Sequence, residues 1–178
     1  MQEVIKKVLI SEEELTKRIK ELSKEISQDY DGKEVIMLCL LKGSVSYFSR
    51  LCENITIPVE YEFLRASSYH GATSTGDVKV SYLSTEKLAG KHIIVVEDII
   101  DTGLTLSKIL EMLKGYNSAS IEITTLLDKP ARRKIEGIVP KYVGFVIPDE
   151  FVLGFGLDWN EKYRNLPYVG ILKEEYYK

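Results

Sequence analysis

IIVVEDIIDTGLTL occupies residues 93–106 and combines an apolar run, a pair of acids and a glycine turn. The first four residues, from Ile93 to Val96, are apolar and β-branched, which is typical of a short strand buried on both faces. Strands of this kind lie in parallel sheets, so the pattern predicts an α/β fold with a parallel central sheet. A helix is expected after the turn, from about Leu106 to Lys114.

The Asp-Thr-Gly-Leu-Thr turn has the chemistry of a phosphate site. Backbone N–H groups at a helix N-terminus lack partners within the helix, and the helix dipole adds partial positive charge there. Gly103 lets the backbone approach a ligand, and the hydroxyls of Thr102 and Thr105 can donate further hydrogen bonds. Glu97 and Asp98 would repel phosphate but suit sugar hydroxyls or Mg²⁺. The pattern predicts a site for a phosphorylated sugar and a metal. An ordinary strand-to-helix turn with solvated acids is the alternative interpretation of the same residues.

Composition limits the class of protein. The 178 residues include 24 Lys and Arg against 27 Asp and Glu, for a net charge of −3. This charge gives no general attraction to nucleic acid or anionic membrane, so we expect neither as a partner. The apolar run at residues 35–41 predicts a second central strand and is too short to span a bilayer. Cys39 and Cys52 are expected to be reduced core residues of a cytoplasmic protein.

Two further patterns predict packing elements. Ser11 and Glu14 have the spacing of a capping box, so a helix is expected to begin there. Its apolar stripe comprises Leu15, Ile19, Leu22 and Ile26. Val59, Tyr61 and Phe63 alternate with acids, which predicts a strand whose apolar face is buried.

VVEDIIDTGLT, residues 95–105, resembles the 5-phosphoribosyl 1-pyrophosphate (PRPP) motif of type I phosphoribosyltransferases, and its form is similar to the hypoxanthine-guanine branch. The resemblance implies the type I phosphoribosyltransferase fold: a parallel central sheet flanked by helices, with a small hood. It implies a single domain over residues 1–178, whose hood comprises about residues 148–178 with N-terminal residues. It also implies transfer of the phosphoribosyl group to N9 of hypoxanthine or guanine, Mg²⁺ as cofactor, and a homodimer or homotetramer.

The same resemblance gives roles to residues of this motif. It makes Asp101 the candidate general base, near N7 of the purine. It makes Glu97 and Asp98 the groups that hold ribose hydroxyls or the metal. The 5′-phosphate would be bound by Asp101, Thr102, Gly103, Leu104 and Thr105. Some members carry lysine where this chain has Leu104, and we expect that position to contribute only its backbone N–H.

Three shorter segments also resemble the family. Lys42 and Gly43 match the loop that holds pyrophosphate, in which the peptide bond before the lysine is commonly cis. Ser68 and Tyr69 match the start of a flexible loop that closes over the site. Lys129 matches the lysine that donates to O6 of the purine, which selects oxopurines over adenine.

FVLGFGLDWNEKYR, residues 151–164, resembles the purine-binding hood of the same branch. On that match Phe151 stacks on the base and Val152 binds it through main-chain groups. Asp158 lies near the base and helps to hold a second Mg²⁺ at the pyrophosphate. Arg164 binds pyrophosphate through its fork of donors. Without the family, the aromatic residues here would be expected in the core.

Two other functions remain open at this point. An RNA-binding regulator of pyrimidine genes, similar to uracil phosphoribosyltransferases, has a similar length and fold, but the lack of a basic excess and the presence of the hood argue against it. A xanthine-preferring transferase would differ in contacts at C2 of the purine, around Asp158. An adenine-specific transferase is opposed by Lys129. The following pair, Arg132 and Arg133, is expected to be solvated surface.

Overall fold

The computed structural model describes residues 2–68, 78–81 and 85–177. Within them the strands and α-helices are, in chain order, β1 (Ile5–Ile10), α1 (Glu12–Asp29), β2 (Val35–Leu41), α2 (Val45–Asn54), β3 (Val59–Ser68), β4 (Val78–Ser81), β5 (His92–Ile100), α3 (Leu104–Lys114), β6 (Ser120–Asp128), β7 (Tyr142–Val146), β8 (Val152–Leu153) and β9 (Val169–Leu172).

Six strands form the central sheet in the order β4-β3-β2-β5-β6-β7. Five of them, from β3 to β7 in that order, are parallel, and β4 pairs antiparallel with β3 at the edge. One face packs against α1 and α2 and the other against α3. The predicted α/β fold with a parallel central sheet is therefore confirmed.

β2 has an unbroken apolar sequence because both of its faces are covered. Met37 and Cys39 belong to the apolar cluster formed with α1 and α2. Ile36 and Leu38 belong to the cluster formed with α3. All four side chains are fully buried, so alternation with polar residues is absent.

α1 begins as its sequence predicts. The Glu14 N–H donates to Ser11 Oγ (3.2 Å), and the Ser11 N–H donates to Glu14 Oε2 (2.8 Å), which completes a capping box. The predicted apolar stripe is buried against the sheet: Leu15, Ile19, Leu22 and Ile26. The helix is an amphipathic packing element, as expected.

β5 and α3 differ from the expected boundaries. The strand does not end at Val96 but continues to Ile100, because it keeps pairing with β6 through residues such as Glu97 and Ile99. The acids thus lie within the strand. α3 begins at Leu104, two residues earlier than expected.

The expected burial of β3 is wrong. Tyr61 and Phe63 are 48% and 39% exposed, whereas Glu62 is 8% exposed and Leu64 is fully buried. Leu64 is on the inner face of β3 and packs in the apolar cluster formed with α3. The outer face is covered only in part, by Phe48 of α2, whose ring centroid lies 4.9 Å from that of Tyr61.

β1, β9 and β8 form a second, antiparallel sheet. It joins the two ends of the chain, through pairs such as Lys7 with Ile171, and has its own apolar cluster. The sheet brings Val152 to the same cavity as Ile99 and Asp101 of the central layer. No helix in the described ranges is long and apolar enough to cross a membrane.

Candidate active site

Two loops meet where β2 and β5 end, because these strands are adjacent and parallel. The peptide bond between Leu41 and Lys42 is cis, as the resemblance implies. A Cβ on Gly43 would overlap the carboxylate of Asp98, so a larger residue would not fit there. The loop predicted to bind pyrophosphate therefore lies directly against the acid pair.

These loops surround a cavity of about 370 Å³. Predicted residues from three parts of the sequence line it: Gly43, Glu97, Asp98, residues 101–105, Asp158 and Arg164. Leu104 belongs to this lining although its side chain is largely exposed. The fold thus brings the residues predicted to bind phosphate and metal around one cavity, together with Gly43 and Arg164 of the predicted pyrophosphate site. Lys42 is not part of this lining as described.

The acid pair is held by hydrogen bonds within the last part of β5. The Asp98 N–H donates to Ser44 Oγ (3.0 Å) and to Glu97 Oε1 (3.2 Å). The Ile99 N–H donates to Asp98 Oδ1 (2.8 Å). Burial and the Asp98 charge raise the pKa of Glu97 well above its usual value, and burial raises the pKa of Asp98. A cation or hydroxyl donors at this point would stabilise the ionised pair.

The loop predicted to bind phosphate depends on a glycine. Gly103 is the N-cap of α3 and has a φ of +80°, in the left-handed region. A Cβ on it would lie 2.9 Å from Ile138 Cδ1 and 3.3 Å from Arg133 Cδ. The Lys134 N–H donates to the Thr102 carbonyl (3.0 Å), so the segment after β6 packs against this loop. In the first turn of α3 the Leu104 N–H donates to Thr102 Oγ1 (3.4 Å). A helix N-terminus of this kind favours an anion.

Asp101, the first residue of the loop, faces a neighbouring cation that the sequence did not indicate. Arg132 Nε lies 2.9 Å from Asp101 Oδ1, and Arg132 Nη1 lies 3.3 Å from Asp149 Oδ1. The contact with Asp101 is an ion pair rather than an aligned hydrogen bond, because Oδ1 is buried without a hydrogen-bond partner among the described residues. Arg132 is exposed, as expected, but it faces the candidate base.

Arg133 is not solvated surface, which corrects the expectation for that residue. Its side chain is only 14% exposed and pairs with Asp128, itself buried. Two of its nitrogens, Nε and Nη1, are buried without partners in the described part of the chain. Adjacent arginines look alike in sequence, and no pattern shows which of them turns inward.

A second cavity of about 710 Å³ adjoins the first, and Ile99 and Asp101 line both. Lys129, Phe151 and Val152, all predicted to bind the purine, line this larger cavity. Asp158 was predicted to bind both the purine and the metal. Among the described lining residues it belongs to the smaller cavity and not to the larger one.

Lys129 is a buried donor in the larger cavity. Its Nζ donates to the Glu150 carbonyl (2.6 Å). Burial lowers the pKa of Lys129, and the nearby Asp101 carboxylate partly opposes this. An ammonium has three donors, so others remain for a ligand oxygen.

The two cations predicted to bind pyrophosphate both lie near the exposed carboxylate of Glu161. Glu161 Oε2 lies 2.9 Å from Lys42 Nζ and 3.5 Å from Arg164 Nη2. Arg164 also pairs with Asp158 Oδ1 (2.8 Å) and donates to the Gly156 carbonyl (2.8 Å). Glu161 was not predicted. It links residues 151–164, which resemble the family's hood, to the loop after β2.

The remaining predictions concern the flexible loop and the metal. Ser68 ends β3, whereas Tyr69 lies outside the described residues. Among the described side chains, no group of three or more His, Cys, Asp or Glu is arranged to hold a metal ion. Mg²⁺ commonly takes only one or two protein carboxylates, with water and substrate phosphates completing its shell, so the acids around the smaller cavity still fit it.

Comparisons with known proteins give a consistent result. A family model described as "Phosphoribosyl transferase domain" matches residues 10–160. The hypoxanthine-guanine phosphoribosyltransferase of Streptococcus pneumoniae is 47% identical over 97% of this chain and 96% of its own length. That of Lactococcus lactis is 48% identical over 99% of this chain and 96% of its own.

Solved structures agree with these relatives. A crystal structure of a hypoxanthine phosphoribosyltransferase from Staphylococcus aureus is 46% identical and superposes with a TM-score of 0.94. The match covers 100% of this chain and 97% of that one. This chain belongs to the phosphoribosyl transferase domain family, in its hypoxanthine-guanine phosphoribosyltransferase branch.

Proposed function

We propose that this chain transfers the 5-phosphoribosyl group from PRPP to N9 of hypoxanthine or guanine, a purine salvage reaction that gives IMP or GMP and pyrophosphate. The observation that carries the proposal is the pair of adjoining cavities that meet at Asp101. One offers a phosphate loop and acids for a phosphorylated sugar. The other offers a buried lysine donor and an aromatic ring for an oxopurine.

Lys129 and Phe151 account for selection of the base. The ammonium donates to O6 of the purine, and the ring stacks on its face. Adenine carries an amino group at C6, which would leave the buried donor facing another donor. Val152, at the start of β8, supplies main-chain groups to the base edge.

Asp101 is the proposed general base. It lines both cavities, so its carboxylate is placed between the sugar and the purine. There it accepts or shares the proton at N7 while the bond to N9 forms. Residues 101–105 hold the 5′-phosphate through backbone N–H groups and the threonine hydroxyls.

Pyrophosphate leaves toward Lys42 and Arg164, whose charges offset those of the departing group. Glu161 pairs with both of these cations. When PRPP binds, its phosphates replace the Glu161 carboxylate as their partner. Glu97 and Asp98 at the ribose and Asp158 at the pyrophosphate would hold Mg²⁺, directly or through water. When bound, the metal supplies further charge neutralisation at the pyrophosphate.

The proposed assembly is a homodimer or homotetramer. Its support is an exposed aromatic patch on β3, formed by Tyr61 and Phe63, whose rings both contact Phe48 of α2. Patches of this kind on soluble proteins commonly lie at interfaces between subunits. Sedimentation of the native protein and of Phe63→Glu tests this: the substitution should shift the native oligomer toward monomer.

One incubation tests the reaction. The protein is supplied with PRPP, Mg²⁺ and, separately, hypoxanthine, guanine, xanthine, adenine or uracil, and nucleotide and pyrophosphate are measured. We expect turnover of 6-oxopurines that is lost on chelating the metal, and none of adenine or uracil. Turnover of adenine would contradict the role of Lys129, and no turnover of any base would contradict the proposed function.

A further inference from the structure

Tyr177, near the end of the chain, lies at the larger cavity. It is part of the lining together with Phe151 and Lys129. Its ring stacks on that of Phe151, with centroids 5.2 Å apart and planes 26° from parallel. The segment matched by the family model ends at residue 160, and no motif of the sequence assigned a role to Tyr177.

The tail is held in place by the strands that hold Phe151. β9 pairs with β8 through Ile171 and Val152, and the Leu172 N–H donates to the Phe151 carbonyl (2.8 Å). A 3₁₀ turn follows, and the Tyr177 N–H closes it by donating to the Glu174 carbonyl (3.1 Å). The same backbone therefore sets the positions of both rings.

Phe151 needs such support because its own site is open. Its side chain is 39% exposed, although the neighbouring Val152 is buried. A half-exposed aromatic ring at the edge of a two-residue strand has few contacts that select one rotamer. Stacking by Tyr177 covers one face of the ring and leaves the other for a ligand.

We propose that Tyr177 is a positioning residue for the purine: it holds the Phe151 ring in the orientation that stacks on the base. This inference rests on the proposed function. Tyr177 acts through Phe151 and takes no part in the bond changes. Its loss therefore weakens binding of the base and leaves the PRPP side of the site intact.

Tyr176 offers a matched control. It is the adjacent tyrosine, it is equally exposed at 36%, and it lies outside the described lining of the cavity. Its ring meets Trp159 edge-on, with centroids 5.5 Å apart, rather than Phe151. Removing either ring costs the tail a similar contact, but only one of them supports the candidate base-stacking residue.

The test compares Tyr177→Ala, Tyr177→Phe and Tyr176→Ala with the parent protein, after thermal melting has shown each to be folded. In Tyr177→Ala we expect KM for hypoxanthine to rise about three- to tenfold, the range that an aromatic pair accounts for. KM for PRPP and kcat should stay within about twofold. Tyr177→Phe keeps the aromatic ring, so its KM for hypoxanthine should equal that of the parent protein. The same KM is expected for Tyr176→Ala.

An unchanged KM for hypoxanthine in Tyr177→Ala would overturn the inference while leaving the reaction established by the parent's turnover. A lowered KM would also overturn it, since Tyr177 would then compete with the base for Phe151. Equal effects of Tyr176→Ala and Tyr177→Ala would mean a structural role for the tail alone. If the parent turns over no base, the proposed function fails, and this inference fails with it.

Discussion

Asp101 takes its chemical setting from residues that are close in space rather than in sequence. Arg132 approaches its carboxylate from the segment after β6, and Lys129 shares a cavity with it. The motif around Asp101 predicted the acid but not the arginine. Its proposed role is separate from the phosphate binding proposed for the loop, because the base would act through the Asp101 carboxylate and the loop through backbone N–H groups and threonine hydroxyls.

Asp101→Asn tests that separation. The amide has the shape of the carboxylate but cannot accept the N7 proton, so we expect kcat to fall by roughly 100- to 10,000-fold. The Kd for PRPP, measured by calorimetry, should change little. Asp149→Asn removes the other carboxylate that contacts Arg132, and there we expect less than a tenfold loss of kcat. Unchanged turnover in Asp101→Asn would remove the residue from the role of base.

Arg133 is a stability residue at the edge of the site. Arg133→Met would leave the buried Asp128 carboxylate without its partner, a change that typically costs about 3 to 5 kcal/mol. Arg50 is the matched control, because it is an exposed arginine that lies 3.7 Å from Glu12. Arg50→Met should cost less than about 1 kcal/mol. Denaturant unfolding gives both values, and equal losses would contradict burial of the Asp128 pair.

α1 shows how an element is set by its own first turn. Ser11 and Glu14 exchange two hydrogen bonds, each from the backbone N–H of one residue to the side chain of the other, and the apolar stripe then follows at helical spacing. Both features are local, so both were predicted. α3 differs, since its first turn is built on Gly103 and on the segment that packs under it.

The capping box predicts a pH dependence for α1. Hydrogen bonds from the Ser11 N–H and hydroxyl lower the pKa of Glu14 below its ordinary 4.5. Because the pKa of Glu14 is lower in the folded state, its ionised side chain stabilises the fold at any pH above the unfolded-state pKa. This stabilisation is lost as pH falls through the pKa of the folded state.

Glu14→Gln should therefore lower the free energy of unfolding at neutral pH, and the difference from the parent should shrink as pH falls through the lowered pKa of Glu14. Glu13→Gln, in the same turn, controls for the loss of a charge near the helix N-terminus. Urea unfolding measures each at several pH values. A difference that grows on acidification would contradict the box.

At the scale of the whole molecule, the core encloses both thiols. Cys39 lies in β2 and Cys52 in α2, and both are buried and free. Burial raises the pKa of Cys39 to about 12 and that of Cys52 to about 11. The expectation of reduced core cysteines is confirmed.

These thiols should resist modification in the native protein. The thiolate is the reactive form, and the raised pKa values leave very little of it at neutral pH. With an aromatic disulfide reagent we expect slow reaction of the folded protein and rapid reaction of two thiols after unfolding in guanidinium. Rapid reaction of the native protein would contradict this, since it would show that the core opens readily around the two cysteines.

Local patterns determined much of this protein. The apolar runs at residues 35–41 and 93–96 predicted central strands, and the glycine turn after β5 predicted the start of a helix. These features depend on backbone preferences and on the periodicity of neighbouring side chains, which the order of residues contains directly. The resemblance then supplied the branch of the family and candidate roles for Lys129, Phe151 and Arg164.

Only the tertiary structure decided which faces and charges meet. It turned Tyr61 and Phe63 outward, because the inner face of β3 packs on another layer. It buried Arg133 beside Asp128 and set Tyr177 against Phe151. Such choices depend on contacts between residues distant in the chain, so they follow from how the layers pack rather than from any local pattern.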